Sequence, residues 1–285
     1  MRARWWTLPL LAACAPGVGD EQPGGGGDDP APIEHEPLST AALEAQLQAA
    51  IARSLTVDGA VLQEAYNDAM AMGERACPAS SQDFGDFWYD SCTTAGGADF
   101  DGYAYAFGGN PQPGATDAYW YVYGEATIAD PDGNQLDLGG YGGWGAYDDG
   151  GTEWTYHYAY GTFGSGAPKH DDTWLAVNDS VEFYAQVGRQ SLTGAKSVYL
   201  DGSFGSLLGD RARAVDFIAV ELGAMADPQC ADAPRGSIWL RTVEADWVEV
   251  RFDCDPCGVA LLGSEDLGDV CADFSGWTRW EDSPW

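Results

Sequence analysis

Trp154-Thr-Tyr-His-Tyr-Ala-Tyr160 places an aromatic residue at every second position, and this two-residue period decides the fold class. Residues 103–107, 119–123 and 181–187 repeat the alternation. Successive side chains of a β-strand point to opposite faces of a sheet, and aromatic and β-branched residues favour strands. We therefore predict a strand in each of these segments. The same pattern predicts four further strands, at residues 198–201, 215–220, 238–241 and 247–252.

Short acidic and glycine-rich breaks separate the predicted strands. Residues 130–133 read Asp-Pro-Asp-Gly, residues 148–151 read Asp-Asp-Gly-Gly, and Asp201 is followed by Gly202. Such residues form tight turns. A parallel sheet would need a helical crossover between successive strands, and none is visible between residues 100 and 220. The expected fold is therefore mainly β, an antiparallel meander curled into a barrel, a half-barrel or a sandwich, because a long open sheet exposes its edges.

The glycine run Gly139-Gly-Tyr-Gly-Gly-Trp-Gly145 contains the spacing G-x-G-x-x-G. A dinucleotide site needs a helix directly after such a run, with its N-terminus facing the pyrophosphate. Residues 146–151 contain two adjacent aspartates and two glycines, so they do not predict a helix. The run is therefore predicted to be a glycine-rich turn or bulge.

Two short helices are predicted before the first strand, in a helical segment over residues 38–76. Apolar residues recur at four-residue steps between 43 and 55, and a second apolar stripe covers 61–70. This spacing is typical of helices that bury one face. Ser39 or the residue after it can cap the first helix, and Asp58 can cap the second.

The cysteines predict disulfides. Seven are present, and removing or lipidating Cys14 leaves an even set of six, which in an exported chain favours disulfides over free thiols. Cys77 and Cys92 are neighbours in sequence and remote from the rest, so we expect them to pair. The other four are expected to pair among themselves, in an order that the sequence leaves open: Cys230, Cys254, Cys257 and Cys271.

Cys254-Asp-Pro-Cys257 also has the spacing of a redox pair or of half a zinc site. A redox pair opens a helix, whereas residues 258–263 resemble a strand. A zinc site needs four reduced thiolates, which export opposes. Structural disulfides are therefore the preferred interpretation of these cysteines, with zinc and redox roles as alternatives.

The first fourteen residues have the organisation of an export signal. Two arginines precede an apolar run over residues 5–13. Residues 1–13 are therefore the predicted signal peptide. Leu11-Ala12-Ala13-Cys14 resembles the lipobox of bacterial lipoproteins, and the resemblance implies cleavage before Cys14 and a diacylglycerol thioether on its sulfur. Ordinary secretion is the alternative, because residues 13–15 also fit the A-x-A cleavage rule.

Residues 14–37 are rich in Pro, Gly and acidic residues and predict a disordered tether, because they hold too few apolar side chains to form a core. Residues 77–285 are predicted to form a disulfide-stapled antiparallel β domain. The expected location is therefore the cell envelope, with the protein exported and lipid-anchored to the cell membrane or the outer membrane.

The formal net charge is −32 at pH 7, and only two lysines are present. A surface this acidic repels nucleic acid and bare anionic lipid, so neither is expected as a partner. The expected partners are the membrane, through the lipid anchor, and a glycan or another envelope protein. No cofactor is predicted.

Residues 100–163 concentrate aromatic side chains beside carboxylates. Rings of this kind can stack on pyranose faces while Asp and Asn accept hydroxyl protons, so the region is a candidate glycan-binding platform. Its candidate residues are Trp120, Trp144, Trp154 and Tyr158. Cross-strand pairs that hold the sheet together are the alternative explanation for these aromatics.

A second candidate is a weak calcium site in residues 130–137. The oxygen-bearing side chains there are Asp130, Asp132, Asn134 and Asp137. Because the glycine of the loop lies too early for an EF-hand and no glutamate takes the twelfth position, an acidic hairpin turn is preferred.

No motif identifies an enzyme. The chain has no G-x-S-x-G sequence, and with 45 acidic residues a pair of carboxylates carries no information. The expected function is a membrane-anchored envelope lipoprotein that acts as a non-enzymatic structural or ligand-binding module. Glycan binding through residues 100–163 and an extracellular carboxylate-dependent hydrolase are the alternatives.

Overall fold

The computed structural model describes residues 38–81, 86–109, 117–165, 180–205, 214–225, 227–242 and 246–278, so the predicted signal, Cys14 and the tether lie outside it. Two helices come first, α1 (Thr40–Ser54) and α2 (Gly59–Met70), as predicted. The strands that follow are β1 (Ser80–Ser81), β2 (Asp86–Thr93), β3 (Asp99–Gly109), β4 (Ala118–Ala129), β5 (Gln135–Asp148), β6 (Thr152–Ser165), β7 (Ser180–Gln190), β8 (Lys196–Gly205), β9 (Val215–Leu222), β10 (Arg235–Arg241), β11 (Trp247–Asp253), β12 (Cys257–Leu262) and β13 (Glu265–Cys271). A 3₁₀ turn (Pro228–Cys230) precedes β10, and one helical turn, α3 (Ser275–Thr278), follows β13.

The strands form one antiparallel meander in which each pairs only with its neighbours in sequence, from β1 to β13. The prediction of a mainly β antiparallel meander is therefore confirmed. Within the described residues the strands form a single open sheet, so the closed barrel is not confirmed. Closure is unnecessary because α1 covers the last edge, where Glu44 Oε1 accepts the Cys271 N–H (3.2 Å) and Gln48 Oε1 accepts the Asp273 N–H (2.9 Å).

The helices cover one face of the sheet, which we call the inner face. Helix α2 packs on β4, β5 and β6, whereas α1 contacts β10 and β13 and α3 contacts β8. Ser39 Oγ accepts the Ala42 N–H, and Asp58 Oδ1 accepts the Ala60 N–H, so both predicted caps are confirmed. No helix in the described part of the chain combines the length and apolar character that crossing a bilayer requires.

Three disulfides join the described strands and loops. Cys77 pairs with Cys92, as the sequence predicted. The open question of the last four cysteines is answered by the pairs Cys230–Cys254 and Cys257–Cys271. Cys254 and Cys257 therefore belong to different disulfides, and neither the redox pair nor the half zinc site forms. The second pair is possible because Cys257 and Cys271 face each other across β12 and β13.

Two turn predictions were wrong. The glycine run at residues 139–145 lies inside β5, where it pairs with β4 and β6 along its whole length. Asp201 and Gly202 lie inside β8, at a register shift against β9 that marks a bulge. Both errors have the same cause. Glycine was taken as the sign of a turn, but glycine inside a strand also allows another group to approach the backbone closely. Strand β5 was missed for this reason, and β1, β2 and β13 were also not predicted.

The N-terminus of α2 lies unusually close to β5. The buried Gly59 N–H donates to His157 Nδ1 (3.1 Å), which extends from the inner face of β6. A Cβ atom at Gly59 would overlap the backbone carbonyl of Gly143. Glycine at this position therefore sets how closely the helix approaches the sheet.

Gly59→Ala is expected to lower the free energy of unfolding by about 1–3 kcal/mol, because the added methyl overpacks a backbone contact. At an uncrowded helix position the same change would raise the free energy of unfolding by up to about 1 kcal/mol. The sign of the change therefore shows whether the methyl group is crowded. Urea unfolding measures the loss as a lower midpoint at unchanged slope. Gly109→Ala is the control, because a Cβ there meets nothing within 4 Å. A Gly59→Ala variant as stable as the wild type would contradict the close packing.

Candidate binding surface

Every tyrosine of the chain except Tyr66 lies on the outer face of the sheet, opposite the helices. The strand register places them at alternating positions, while the positions between them point into the core. We call this surface the tyrosine face. It comprises Phe87, Tyr89, Tyr103, Tyr105, Phe107, Tyr119, Tyr121, Tyr123, Tyr141, Tyr147, Trp154, Tyr156, Tyr158, Tyr160, Tyr184 and Tyr199.

An aromatic ladder crosses five adjacent strands of this face. Each ring lies directly opposite the next, in the order Phe87, Tyr105, Tyr123, Tyr141 and Tyr160. The last two stack with centroids 4.8 Å apart and planes inclined by 16°. Neighbouring strands are about 4.8 Å apart, so the ladder offers one aromatic position on each strand.

Glycines opposite the rings leave space for them. Gly143 directly opposes Tyr158, and Gly145 directly opposes Tyr156. A Cβ at Gly145 would overlap the Tyr156 ring, so that ring lies across the strand rather than standing away from it. The aromatic and glycine patterns of β5 and β6 therefore depend on each other.

The rings remain accessible although they pack side by side. Tyr89 is 75% exposed, and Tyr119 and Tyr123 are each 40% exposed. Tyr158 and Tyr160 are half-buried by their neighbours. Solvent therefore meets ring faces and edges over a continuous aromatic area, which is the arrangement of an unfilled contact surface.

An open groove of about 530 Å³ lies between β3 and β6, and one of its lining residues, Glu125, directly opposes Tyr103. Hydrogen-bonding side chains line it from Asp101, Glu125, Thr127, Asp137 and Thr162. Asp137 Oδ1 accepts hydrogen bonds from Thr127 Oγ1 (3.0 Å) and Gln135 Nε2 (2.7 Å), so its carboxylate is held in place. The tyrosine face thus has a polar, acidic border.

Carboxylates also stand within the ring array, whereas its described strands β2 to β6 contain no lysine or arginine. Glu125 directly opposes Tyr103, and Glu182 directly opposes Tyr160. Both glutamates are exposed. The sequence contains no lysine or arginine from residue 76 to residue 168, a stretch that includes β2 to β6. This part of the face is therefore uniformly acidic.

Crowding of the phenols raises their pKa values. A hydrogen bond donated to Tyr123 is the main cause that raises the pKa of Tyr103 to about 12. Burial among its neighbours raises the pKa of Tyr184 to about 12. Burial, with the charge of Glu182 as a second cause, raises the pKa of Tyr141. Deprotonation of the face is therefore disfavoured in the folded protein.

We expect the folded protein to lose stability as the pH rises from about 10 towards about 12. A raised folded-state pKa favours the neutral phenol, so this stabilisation is fully present below the unfolded tyrosine pKa of about 10 and is lost as the pH rises through the folded-state pKa of about 12. Phenolate absorbance and circular dichroism, recorded together during an alkaline titration, measure both events. Identical phenolate midpoints in buffer and in concentrated urea would show that the rings do not protect one another.

Two predicted glycan residues are not available for binding. Trp120 and Trp144 lie on the inner face and are 4% and 5% exposed. Trp120 packs against Tyr66 of α2, and Trp144 Nε1 donates to Gln63 Oε1 (3.0 Å). They are corrected to core residues. Along each strand the two-residue period places them on the other face of the sheet from the tyrosines.

The other two predicted glycan residues, Trp154 and Tyr158, do lie on the tyrosine face. A Cβ at Gly188 would overlap the Trp154 ring, so this ring covers the neighbouring strand β7. The remaining tyrosines were not singled out from the sequence. The available signal was that the tyrosines of each strand are separated by even numbers of residues, so they share one face of the sheet.

Three of the four calcium candidates lie at a hairpin turn, whereas Asp137 lies in β5. Asp130 is nearly buried and accepts hydrogen bonds from the backbone N–H groups of Asp132 and Asn134 and from the Asn134 side chain. Asp137 bonds instead to Thr127 in the groove. Among the described residues these carboxylates do not converge on one point. The turn prediction is therefore preferred over a calcium site.

One potential metal cluster occurs among the described residues, formed by Asp227, Cys230 and Cys254. The two cysteines are bonded to each other, so their sulfurs are not free thiolates. The cluster is therefore part of the disulfide loop.

Comparison with known proteins returns no match, whether to protein-family models, to curated proteins or to solved structures. The functional argument for this chain therefore depends on its own residues.

Proposed function

We propose that the chain is an exported, lipid-anchored envelope protein that acts as a non-enzymatic binding module. The lipobox-like residues ending at Cys14 support the anchor. The six remaining cysteines support export, because all of them pair and such pairs persist in oxidising compartments.

The proposed ligand is an extended glycan lying on the tyrosine face. The observation that carries this proposal is the continuous ladder of five opposed rings on adjacent strands. Pyranose rings have apolar faces that stack on aromatic rings, and their hydroxyl groups would meet phenol oxygens and the groove carboxylates. A repeating array suits a polymer better than a single sugar, because each strand offers the contact again.

We also infer that the open sheet curls as a half-barrel around the helices. The support is that helices adjacent in sequence contact distant strands, α2 contacting β4 to β6 and α1 contacting β10 and β13. The tyrosine face would then be the convex side, free to meet a polymer.

Binding of soluble oligosaccharides to the mature protein tests the glycan proposal. Isothermal titration against unbranched oligosaccharides of increasing length should show affinity that rises with length, until the ladder is filled. Tyrosine fluorescence should change during the titration, because the rings form the contact. Absence of binding across neutral, acidic and amine-bearing oligosaccharides would overturn the glycan proposal.

Cys14→Ser is expected to move the protein from the membrane fraction to the soluble fraction, because the substituted residue cannot carry the thioether. Mass spectrometry of the N-terminus of the native protein should detect the acylated Cys14. A protein that is cleaved at the same place but carries no lipid would contradict the anchor and leave ordinary secretion.

A hydrolase remains the second candidate, and the groove carboxylates favour it. Asp101, Glu125 and Asp137 border the place where a glycan on the ladder would extend. Release of reducing ends from a bound oligosaccharide, lost in Glu125→Gln, would support hydrolysis. Stable oligosaccharides after long incubation would support the binding module.

A further inference from the structure

Building on the proposed glycan binding, we infer that the tyrosine face selects polysaccharides whose amino sugars carry free, positively charged amines. The inference concerns ligand class and not the existence of the site. It depends on charge complementarity between this face and its ligand.

The face offers a cation two kinds of attraction. The faces of aromatic rings are electron-rich and attract ammonium groups, most strongly where water is partly excluded. Exposed carboxylates stand directly opposite rings of the face, Glu182 beside Tyr160 and Glu125 beside Tyr103. The charge of Glu182 reaches Tyr141 as well as Tyr160. An amino sugar stacked on that ring pair would therefore place its ammonium next to Glu182.

Ligands of the opposite sign would be rejected. From residue 76 to residue 168 the sequence has no lysine or arginine to pair with a uronate, a sulfate or a phosphate. Like charges at this separation repel, and the cost is greatest at low salt. A neutral glycan would gain the ring contacts alone. Cationic, neutral and anionic glycans should therefore bind in that order.

The shape of the face favours a polysaccharide over a basic peptide. Five aromatic positions lie directly opposite one another on adjacent strands, and this repeat suits a chain of sugar rings. Peptide side chains are held by pockets, whereas the border of this face is an open groove. Electrostatic attraction of any polycation is the alternative that the experiment must separate.

The experiment compares three probes of equal length on the mature wild-type protein: a β-linked glucosamine oligomer, its fully N-acetylated form and oligolysine. The glucosamine oligomer should bind about tenfold tighter than its acetylated form, since several exposed charge pairs and cation–π contacts add a modest gain each. Rising salt should narrow this ratio. Oligolysine should bind more weakly than the glucosamine oligomer.

Charge variants locate the effect. Glu125→Gln with Glu182→Gln should reduce the ratio between glucosamine and acetylated oligomers by about threefold or more, because each change removes one carboxylate that stands opposite a ring. Glu64→Gln with Glu265→Gln is the matched control, because it removes the same charge from exposed sites on α2 and on β13. This control should leave the ratio unchanged.

The outcomes separate the two proposals. Equal affinity for the glucosamine and acetylated oligomers would overturn the charge selection and leave glycan binding standing. Failure of both oligomers to bind would overturn the glycan proposal itself. Oligolysine binding as tight as the glucosamine oligomer, or a ratio lowered equally by the control pair, would reduce the effect to general polycation attraction and overturn this inference.

Discussion

Replacing both Tyr141 and Tyr158 by alanine is expected to weaken oligosaccharide binding by about 2 kcal/mol or more, or about 30-fold. The two rings lie 6.5 Å apart at the centre of the tyrosine face. Aromatic residues at the centre of a contact surface contribute most of the binding energy, because surrounding contacts exclude water from them. Isothermal titration with the longest oligosaccharide that the wild type binds measures the loss.

Two controls accompany this variant. Tyr141→Phe with Tyr158→Phe keeps both rings, so it should retain most of the affinity and lose only hydroxyl contacts. Leu192→Ala changes a residue that is 95% exposed and lies in the turn after β7, and it should have no effect. Circular dichroism must show that the alanine variant is folded. Affinity retained in a folded alanine variant would exclude the tyrosine face as the binding surface.

Trp277→Ala is expected to lower the free energy of unfolding by about 3–5 kcal/mol, the cost of truncating a fully buried tryptophan. The side chain is 0% exposed. Its ring packs against Phe274 and against Phe217 of β9, with centroid separations of 5.2 and 6.1 Å. Its Nε1 donates to Ser54 Oγ (2.8 Å), so this residue links the chain after β13 to α1.

Urea unfolding followed by circular dichroism measures the Trp277 effect. Trp277→Phe is the matched variant, because it keeps an aromatic ring but removes the N–H. It leaves the buried Ser54 hydroxyl with one hydrogen bond fewer, and a loss of about 1–3 kcal/mol is expected. A loss below about 1 kcal/mol in Trp277→Ala would mean that α3 does not hold α1 on the sheet.

The strands were predictable where local pattern and environment agree. In residues 119–123 every second residue is tyrosine, and the positions between are buried. The caps of α1 and α2 were predictable for the same reason, because a capping side chain bonds within three residues. The glycine run in β5 misled the prediction, because glycine has no side chain to show the period. The glycines occur inside this strand because rings of β6 lie across it and leave no space for side chains.

The candidate surface was predicted only in part, for a physical reason. A two-residue period separates two faces without saying which is buried, and in β4 both sets are aromatic: Trp120 on one side, Tyr119 and Tyr121 on the other. The decision came from α2, whose Tyr66 packs on Trp120 and whose Gln63 bonds Trp144. The helix position thereby assigned the tryptophans to the core and the tyrosines to solvent.

The sequence by itself determined the antiparallel meander, the two capped helices, the pairing of Cys77 with Cys92 and the acidity of the chain. These properties depend on side-chain period, short-range hydrogen bonds and composition, which need no distant partner. The tertiary structure alone decided that the sheet stays open, how the last four cysteines pair and which aromatic rings face solvent. Each of those outcomes depends on contacts between segments far apart in the chain, and such contacts leave no local signal.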